Sequence, residues 1–154
     1  MVTALHIENV SGAEGRELAE LRARAMRPSL AAIGRFDERR VRERFLSGFV
    51  PADTRKIVSD GKLLGFYVAR FKADHIYLDH LYIEPGFQGS GPGARIIALL
   101  KESAKETGLP IRLGGLRESR ANDFYHRQGF EVTHEDEYDI YHEWQPDREG
   151  AAAS

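Results

Sequence analysis

Along the 154-residue chain, the spacing of hydrophobic and polar positions switches between a strand-like and a helix-like period several times. Thr3 to Glu8 alternates loosely and reads as a first strand. From Ser11 the apolar residues take helical spacing. Ser11 and Glu14 have the S-x-x-E spacing of a capping box, and Leu18, Leu21 and Ala25 share one face. Pro28 is expected to end that helix. A second helix is predicted to open at Asp37, whose carboxylate can accept from free N–H groups. Phe36 and Val41 are spaced as a hydrophobic staple across that cap, and Val41, Phe45 and Phe49 continue one face. Beyond the loop Pro51–Thr54 the period shortens. Lys56–Ser59, Leu63–Phe71 and His75–Ile83 read as strands, with Asp60-Gly61 as a hairpin turn and Lys72-Ala73-Asp74 as the next one. Helical spacing returns at Pro92–Thr107, where Ile96, Leu100 and Ala104 stack ahead of Gly108 as a stop. A strand at Ile111–Gly114, a helix at Ser119–Gln128 stopped by Gly129, and strands at Glu131–His134 and Tyr138–Glu143 follow. The order is β-α-α-β-β-β-α-β-α-β-β in one α+β domain over residues 1–144, with 145–154 read as a disordered tail.

Composition narrows the class. A chain that is 42% hydrophobic and 30% charged suits an ordinary globular domain, and a net charge of −2 gives no drive toward nucleic acid or an anionic membrane. The absence of cysteine excludes disulfides, thiolate nucleophiles and cysteine-ligated metals. The start, MVTALHIENV, lacks the basic and apolar regions of a secretion signal, and no apolar run reaches the roughly 18 residues of a membrane span. A cytoplasmic protein is expected. Histidines 75 and 80 share one strand while 126, 134 and 142 fall on three other elements, a scatter without metal-ligand spacing, so no metal is expected.

The chemistry is concentrated where Gly86 to Gly93 packs four glycines and a proline into eight residues at the mouth of a helix. Glycine is unfavourable there unless the backbone needs its freedom or something must come close. Helix N-termini present unpaired N–H groups and partial positive charge, which suits a phosphate. A P-loop reading fails because no lysine follows the glycines. Gly89, Gly91 and Ala94 satisfy the dinucleotide pattern G-x-G-x-x-A. The acidic residue it needs after the next strand is missing, and a meander precedes the loop instead of a βαβ unit. A third pattern, Q/R-x-x-G-x-G/A, is met by Gln88, Gly91 and Gly93. Taken alone it is equally compatible with a connection that binds nothing.

The string LDHLYIEPGFQGSGPGARIIALL, followed some thirty residues later by ANDFYHRQGFE, resembles the GNAT family of N-acetyltransferases. The likeness covers most of the chain, up to about Trp144. It implies a central mixed, mostly antiparallel sheet flanked by about four helices, acetyl-CoA as acyl donor without a metal, and an amine acceptor that is a small molecule or a peptide. A homodimer is among the assemblies it implies. A second class, a non-catalytic acyl-CoA-binding module of the same fold, fits the same motifs.

Transfer to an amine needs a neutral nucleophile and a proton for the departing thiolate. A lysine-like amine of pKa about 10.4 is almost wholly protonated at pH 7, so a base is useful, while a tyrosine near 10 stays protonated to serve the sulfur. The resemblance implies Tyr125 as that acid and as a neighbour of the CoA sulfur. On the strand His75–Ile83, alternation puts Tyr77, Asp79, Leu81 and Ile83 on one face and Ile76, Leu78, His80 and Tyr82 on the other. The resemblance implies bases and water-holding residues at Asp79 and Tyr77, so Asp79, acting through water with Tyr77, is the first candidate base. His80 is the second, and is otherwise a substrate-binding residue; water alone remains open. Backbone groups of Leu81, Tyr82 and Ile83 are implied to line the pantetheine arm, and Phe87, Gln88, Gly89, Ser90, Gly91, Gly93 and Ala94 the pyrophosphate. Pro92 departs from the family by lacking an N–H. Glu118 stands where the family often has asparagine, and Asn122, one turn later, is the candidate replacement at the cofactor. Acceptor recognition is implied for the early helices, with Arg27, Phe36 and Arg39 placed to take part. The run Arg35, Arg39, Arg40, Arg42 and Arg44 is either a solvated face or an attraction for an anion.

Overall fold

A computed structural model describes residues 4–146; the expectations for Thr3 and for the tail beyond Pro146 lie outside the described residues. The elements follow the predicted order: β1 (His6–Asn9), α1 (Gly15–Ala32), α2 (Glu38–Leu46), β2 (Thr54–Ser59), β3 (Lys62–Phe71), β4 (Ile76–Ile83), α3 (Pro92–Thr107), β5 (Ile111–Leu116), α4 (Ala121–Arg127), β6 (Glu131–Glu135) and β7 (Asp139–Trp144). The strands hydrogen-bond in the order β1-β2-β3-β4-β5-β7-β6. The sheet is mixed, because β4 and β5 run parallel while β1–β2, β2–β3, β5–β7 and β6–β7 are antiparallel.

Local chemistry sets several boundaries. Glu14 accepts from the Ser11 backbone N–H at 3.0 Å, and α1 begins at the next residue. Asp37 caps α2 by accepting from the N–H groups of Arg39 and Arg40 at 3.0 and 2.8 Å. Asp60 and Gly61, at φ 51° and 73°, make the two-residue β2–β3 turn.

Pro28 does not end α1, contrary to expectation; the helix runs through it to Ala32. A proline inside a helix removes one N–H and its bond to the carbonyl four residues earlier, here Arg24. Both residues are exposed, so water can solvate that carbonyl. The stop lies further on. Gly34 takes left-handed backbone at φ 69°, its N–H donates to the Ala31 carbonyl, and the Arg35 N–H donates to Leu30 at 2.8 Å. That is a Schellman closure.

The chain divides into two units by its internal packing. The first takes the residues up to Val68 together with His80–Gly93. Its core joins Val10, Leu18, Ala19, Leu21, Phe45, Phe66 and Val68, with Ala25, Phe49, Leu63 and Tyr82 packed against them. The second takes Ala69–Asp79 and the chain from Ala94 onward. There β5 carries a buried row matched across its neighbours: Ile111 stands beside Ile76 and Trp144, and Leu113 beside Leu78 and His142.

Candidate active site

In the first unit, β4 passes into a single 3-10 turn, Pro85–Phe87, and then into the glycine turn that opens α3 at Pro92. Gly89 and Gly91 hold left-handed backbone, φ 84° and 103°, and a Cβ on either would meet no atom within 4 Å. These glycines therefore serve backbone conformation and leave clear space above the turn; they are not needed to relieve packing. Gln88 donates from Nε2 to the Ile83 carbonyl at 3.1 Å, and Ser90 donates from Oγ to the Phe87 carbonyl at 2.5 Å, so both side chains fasten the turn to itself. Pro92 occupies the first helical position, where the N–H it lacks has no helical partner in any case. Such a turn ahead of a helix N-terminus fits a pyrophosphate, with backbone N–H groups as donors.

The same unit holds the acceptor-side residues. Arg27 lies 4.3 Å above the Phe36 ring and pairs with Glu38 at 2.6 Å. Arg39 pairs with Glu43 at 2.9 Å along α2, with 84% of its side chain exposed. Arg42 bonds Glu20 and Glu38, which together raise its basicity further. Acids on α1 and α2 thus pair with Arg39 and Arg42 of the arginine run. Glu84, directly after β4, receives Arg24 through two bonds of 2.6 and 2.8 Å. On β4, His80 Nδ1 stands 3.0 Å from the Tyr82 hydroxyl, to which Arg22 donates from Nε at 3.1 Å.

In the second unit, Asp79 Oδ2 accepts from both Nε and Nη2 of Arg70 at 3.1 Å, which fixes the carboxylate's direction. Tyr77, half-buried, meets His75 edge-on at 6.2 Å. Tyr125, on α4, is 7% exposed and is ringed by Phe124, Phe130 and His142 at centroid distances of 5.4 to 5.9 Å. Asn122 is occupied within the protein. Its Nδ2 donates to the Leu116 and Ser119 carbonyls at 2.7 and 3.1 Å, and its Oδ1 lies 3.0 Å from His142 Nε2. Burial holds His142 below its ordinary pKa, with the charge of His126 adding to the effect. Ala94 sits half-buried in the first turn of α3.

Sequence reasoning missed Arg22, the hydroxyl of Tyr82, Gly65 and the His142–Asn122 pair. A signal existed for Arg22, which lies four residues after Leu18 and so falls on the apolar face of α1. Gly65 had none: a Cβ there would stand 2.3 Å from the Tyr82 carbonyl oxygen, a clash set by the strand that packs beside it. Among the described residues no group of three or more His, Asp or Glu could hold a metal ion, and no helix is long and apolar enough to cross a membrane.

With turn, helix and tyrosine located, the comparisons give the class. Residues 52–132 match the acetyltransferase (GNAT) domain, and the chain belongs to that family. Solved structures agree on the fold. The PaiA N-acetyltransferase of Thermoplasma acidophilum, in complex with coenzyme A, is 21% identical over 93% of this chain and 99% of that one, with a TM-score of 0.80. An acetyltransferase from Thermus thermophilus is 18% identical over 94% and 98%, TM-score 0.71. The ribosomal-protein-S18-alanine N-acetyltransferase of Escherichia coli is 14% identical over 92% and 94%, TM-score 0.66. No curated protein matches the chain.

Proposed function

We propose that the protein moves the acetyl group of acetyl-CoA directly onto a primary amine. The observation that carries this reading is the turn ahead of α3, where left-handed Gly89 and Gly91 leave open space before a helix N-terminus. Family membership and the coenzyme A bound to the Thermoplasma neighbour support acetyl-CoA as donor. The N–H groups of Gln88, Gly89, Gly91, Gly93 and Ala94 would take the pyrophosphate, while those of Phe87 and Ser90 hold the turn together by donating to the Glu84 and Phe87 carbonyls at 2.8 and 3.4 Å. The backbone of Leu81, Tyr82 and Ile83 would take the pantetheine arm and help polarise the thioester carbonyl. Asn122 would contribute by bracing the first turn of α4, which carries Tyr125.

The amine's lone pair forms the new bond to the acetyl carbon, the C–S bond breaks, one proton leaves nitrogen and one reaches sulfur. Tyr125 supplies the proton to sulfur. Asp79, held by Arg70, receives the amine's proton through a water that Tyr77 helps to place. With no cysteine in the chain, no cysteinyl acyl-enzyme intervenes. Arg27, Phe36 and Arg39 line the acceptor side.

Thermal unfolding with acetyl-CoA, beside NAD and ATP, tests the donor: at 100 times its dissociation constant a ligand adds about 2.7 kcal/mol of apparent stability. Release of free CoA thiol over an amine panel then tests transfer. Tyr125→Phe and Asp79→Asn are each expected to lower kcat by about 100-fold while keeping the acetyl-CoA shift. A shift without product in the wild type would mark a binding module. No shift would reject the reading.

A further inference from the structure

In the first unit one permanent charge is taken out of water without a counter-charge among the described residues. Arg22, on the face of α1 that carries Leu18 and Leu21, is 4% exposed. It donates from Nε to the Tyr82 hydroxyl at 3.1 Å and from Nη1 to the Val41 carbonyl, and its guanidinium carbon lies 5.5 Å from the centre of the Tyr82 ring. All of these partners are neutral. The ion-paired acids of α1, α2 and the end of β4 are taken by other cations: Glu20 by Arg42, Glu38 by Arg27 and Arg42, Glu84 by Arg24. Those three arginines are exposed or half-buried, so the wetter guanidiniums are paired and the dry one is not. A buried charge is ordinarily paired, because desolvation otherwise outweighs what it gains. Nη2, with two of the five guanidinium hydrogens, is left over. It forms no hydrogen bond within the described residues. Nor is it sealed in, since His142 Nδ1 is the only enclosed side-chain nitrogen or oxygen without a partner there. Nη2 therefore meets solvent.

We propose that Nη2 of Arg22 is an anion seat for the acceptor, and that the acceptor is an amine which itself bears an anionic oxygen group, a carboxylate or a phosphate. The proposal rests on the N-acetyltransferase reading. Tyr82 fastens Nε and belongs to the stretch of β4 whose backbone would take the pantetheine arm. An anion at Nη2 thus lies one tyrosine side chain away from the donor's path. An anionic oxygen accepting there makes a charge-assisted hydrogen bond and supplies a counter-charge where little water screens the attraction. The bonds from Nε and Nη1 hold the guanidinium plane in advance, so little freedom is lost when the anion binds. A polyamine suits this wall badly, because its remaining nitrogens bring N–H donors and further positive charge. Arg27 and Arg39, each already bonded to a glutamate, are weaker seats for an anion. Arg22 is the substrate-binding residue here, and Tyr82 and the Val41 carbonyl position it.

The test sets alanine against alaninamide, and O-phosphoethanolamine against ethanolamine, as acceptors for wild type and Arg22→Gln. The ratio of kcat/KM within each pair is compared between the two proteins, so that the differing basicity of the amines cancels. For the anion that the seat takes, the ratio is expected to fall by about 30-fold in Arg22→Gln, the worth of one hydrogen bond between charged groups, and to recover in part in Arg22→Lys. A fall confined to the alanine pair assigns a carboxylate, and one confined to the ethanolamine pair a phosphate. The acetyl-CoA thermal shift reports whether Arg22→Gln is folded. Should it not fold, the wild type decides the matter: the ¹⁵N signals of the Arg22 guanidinium are expected to move with N-acetylalanine or N-acetyl-O-phosphoethanolamine and to stay in place with N-acetylalaninamide. Unchanged ratios in a folded Arg22→Gln, or guanidinium signals that respond to neither anion, would overturn the proposal. If no amine is acetylated, the transferase reading itself fails. The spectrum needs no turnover and still decides whether Arg22 seats an anion.

Discussion

His80 and His142 each have a side-chain partner at 3.0 Å, but through opposite nitrogens and for different ends. His142, on β7, is 3% exposed and bonds through Nε2 to Asn122. The Asn122 amide cannot be turned round, because its NH₂ already donates to the Leu116 and Ser119 carbonyls, so Oδ1 accepts and Nε2 carries the hydrogen. Its other nitrogen, Nδ1, is buried with no hydrogen-bond partner. His80, half-buried on β4, bonds through Nδ1 to a hydroxyl that a buried cation backs. In His142 the Nε2 hydrogen is consumed inside a network that braces α4. In His80 the bonded nitrogen faces a hydroxyl that already accepts from Arg22. The partner, more than the residue type, sets the electrostatic surroundings of each histidine.

The largest way to break this contrast is through the glycines that make room for each network. A Cβ on Gly65 would stand 2.3 Å from the Tyr82 carbonyl oxygen and 2.9 Å from Ile83 Cδ1. Backbone cannot swing aside as a side chain can, so β3 and the end of β4 would have to part. Gly65→Ala is expected to cost about 3 kcal/mol in urea unfolding, at the upper end for overpacking. On the other side, the nearest atoms to a Cβ on Gly115 belong to the Asn122 side chain, with Oδ1 at 2.5 Å. Asn122 can rotate away at the expense of its bond to His142, and Gly115→Ala is expected to cost about 1.5 kcal/mol, near one lost buried hydrogen bond. Equal losses would show that the two networks are equally rigid and remove the distinction.

What was readable beforehand follows the range of the interaction. The Asp37 cap, the Asp60-Gly61 turn and the bounds of α3 depend on residues within a few positions of one another, and each was legible. The end of α1 was misread because two local signals competed, and the Schellman closure at Gly34 prevailed over Pro28. The glycine turn was legible as chemistry because its left-handed positions are themselves local. Arg22 and Tyr82 lie 60 residues apart in sequence, and no periodicity marks a hydrogen bond over that distance. Alternation along β4 did put His80 and Tyr82 on one face, but it could not say that a cation stood behind them.

A smaller effect sharpens the comparison from the closed side. Asn122→Ala leaves the His142 Nε2–H without its partner and the Leu116 carbonyl with only the Ser119 N–H. The expected loss is about 2 kcal/mol, the cost of stranding such groups. Tyr82→Phe keeps the ring that packs against Phe66 at 5.5 Å but takes from the buried Arg22 the acceptor of its Nε–H, so its loss should be of similar size, about 2 kcal/mol. Urea midpoints of the two variants decide the point. If Tyr82→Phe proves the more damaging, the His80 chain is a structural element first.

The smallest expected effect is a pH dependence confined to the closed network. Burial holds His142 below its ordinary value of 6.5, and unfolding restores that value by exposing the ring. The unfolded chain therefore binds this proton more tightly than the folded one. Above about pH 6.5 the imidazole is neutral in both states, and its contribution to stability is fully present. As pH falls below that value, the unfolded state takes up the proton first and stability declines, by no more than about 1.4 kcal/mol per pH unit for one group. Glu14 and Glu20, whose pKa values are lowered from 4.5 by Lys56 and Arg42, begin to matter only at lower pH. Between pH 7 and 5.5 the wild type should therefore lose stability that His142→Phe does not. Urea midpoints at the two pH values measure it. A variant that keeps the full wild-type slope would mean that His142 takes up its proton in the folded state, so that the orphaned Nδ1 is open to water and the network is not closed.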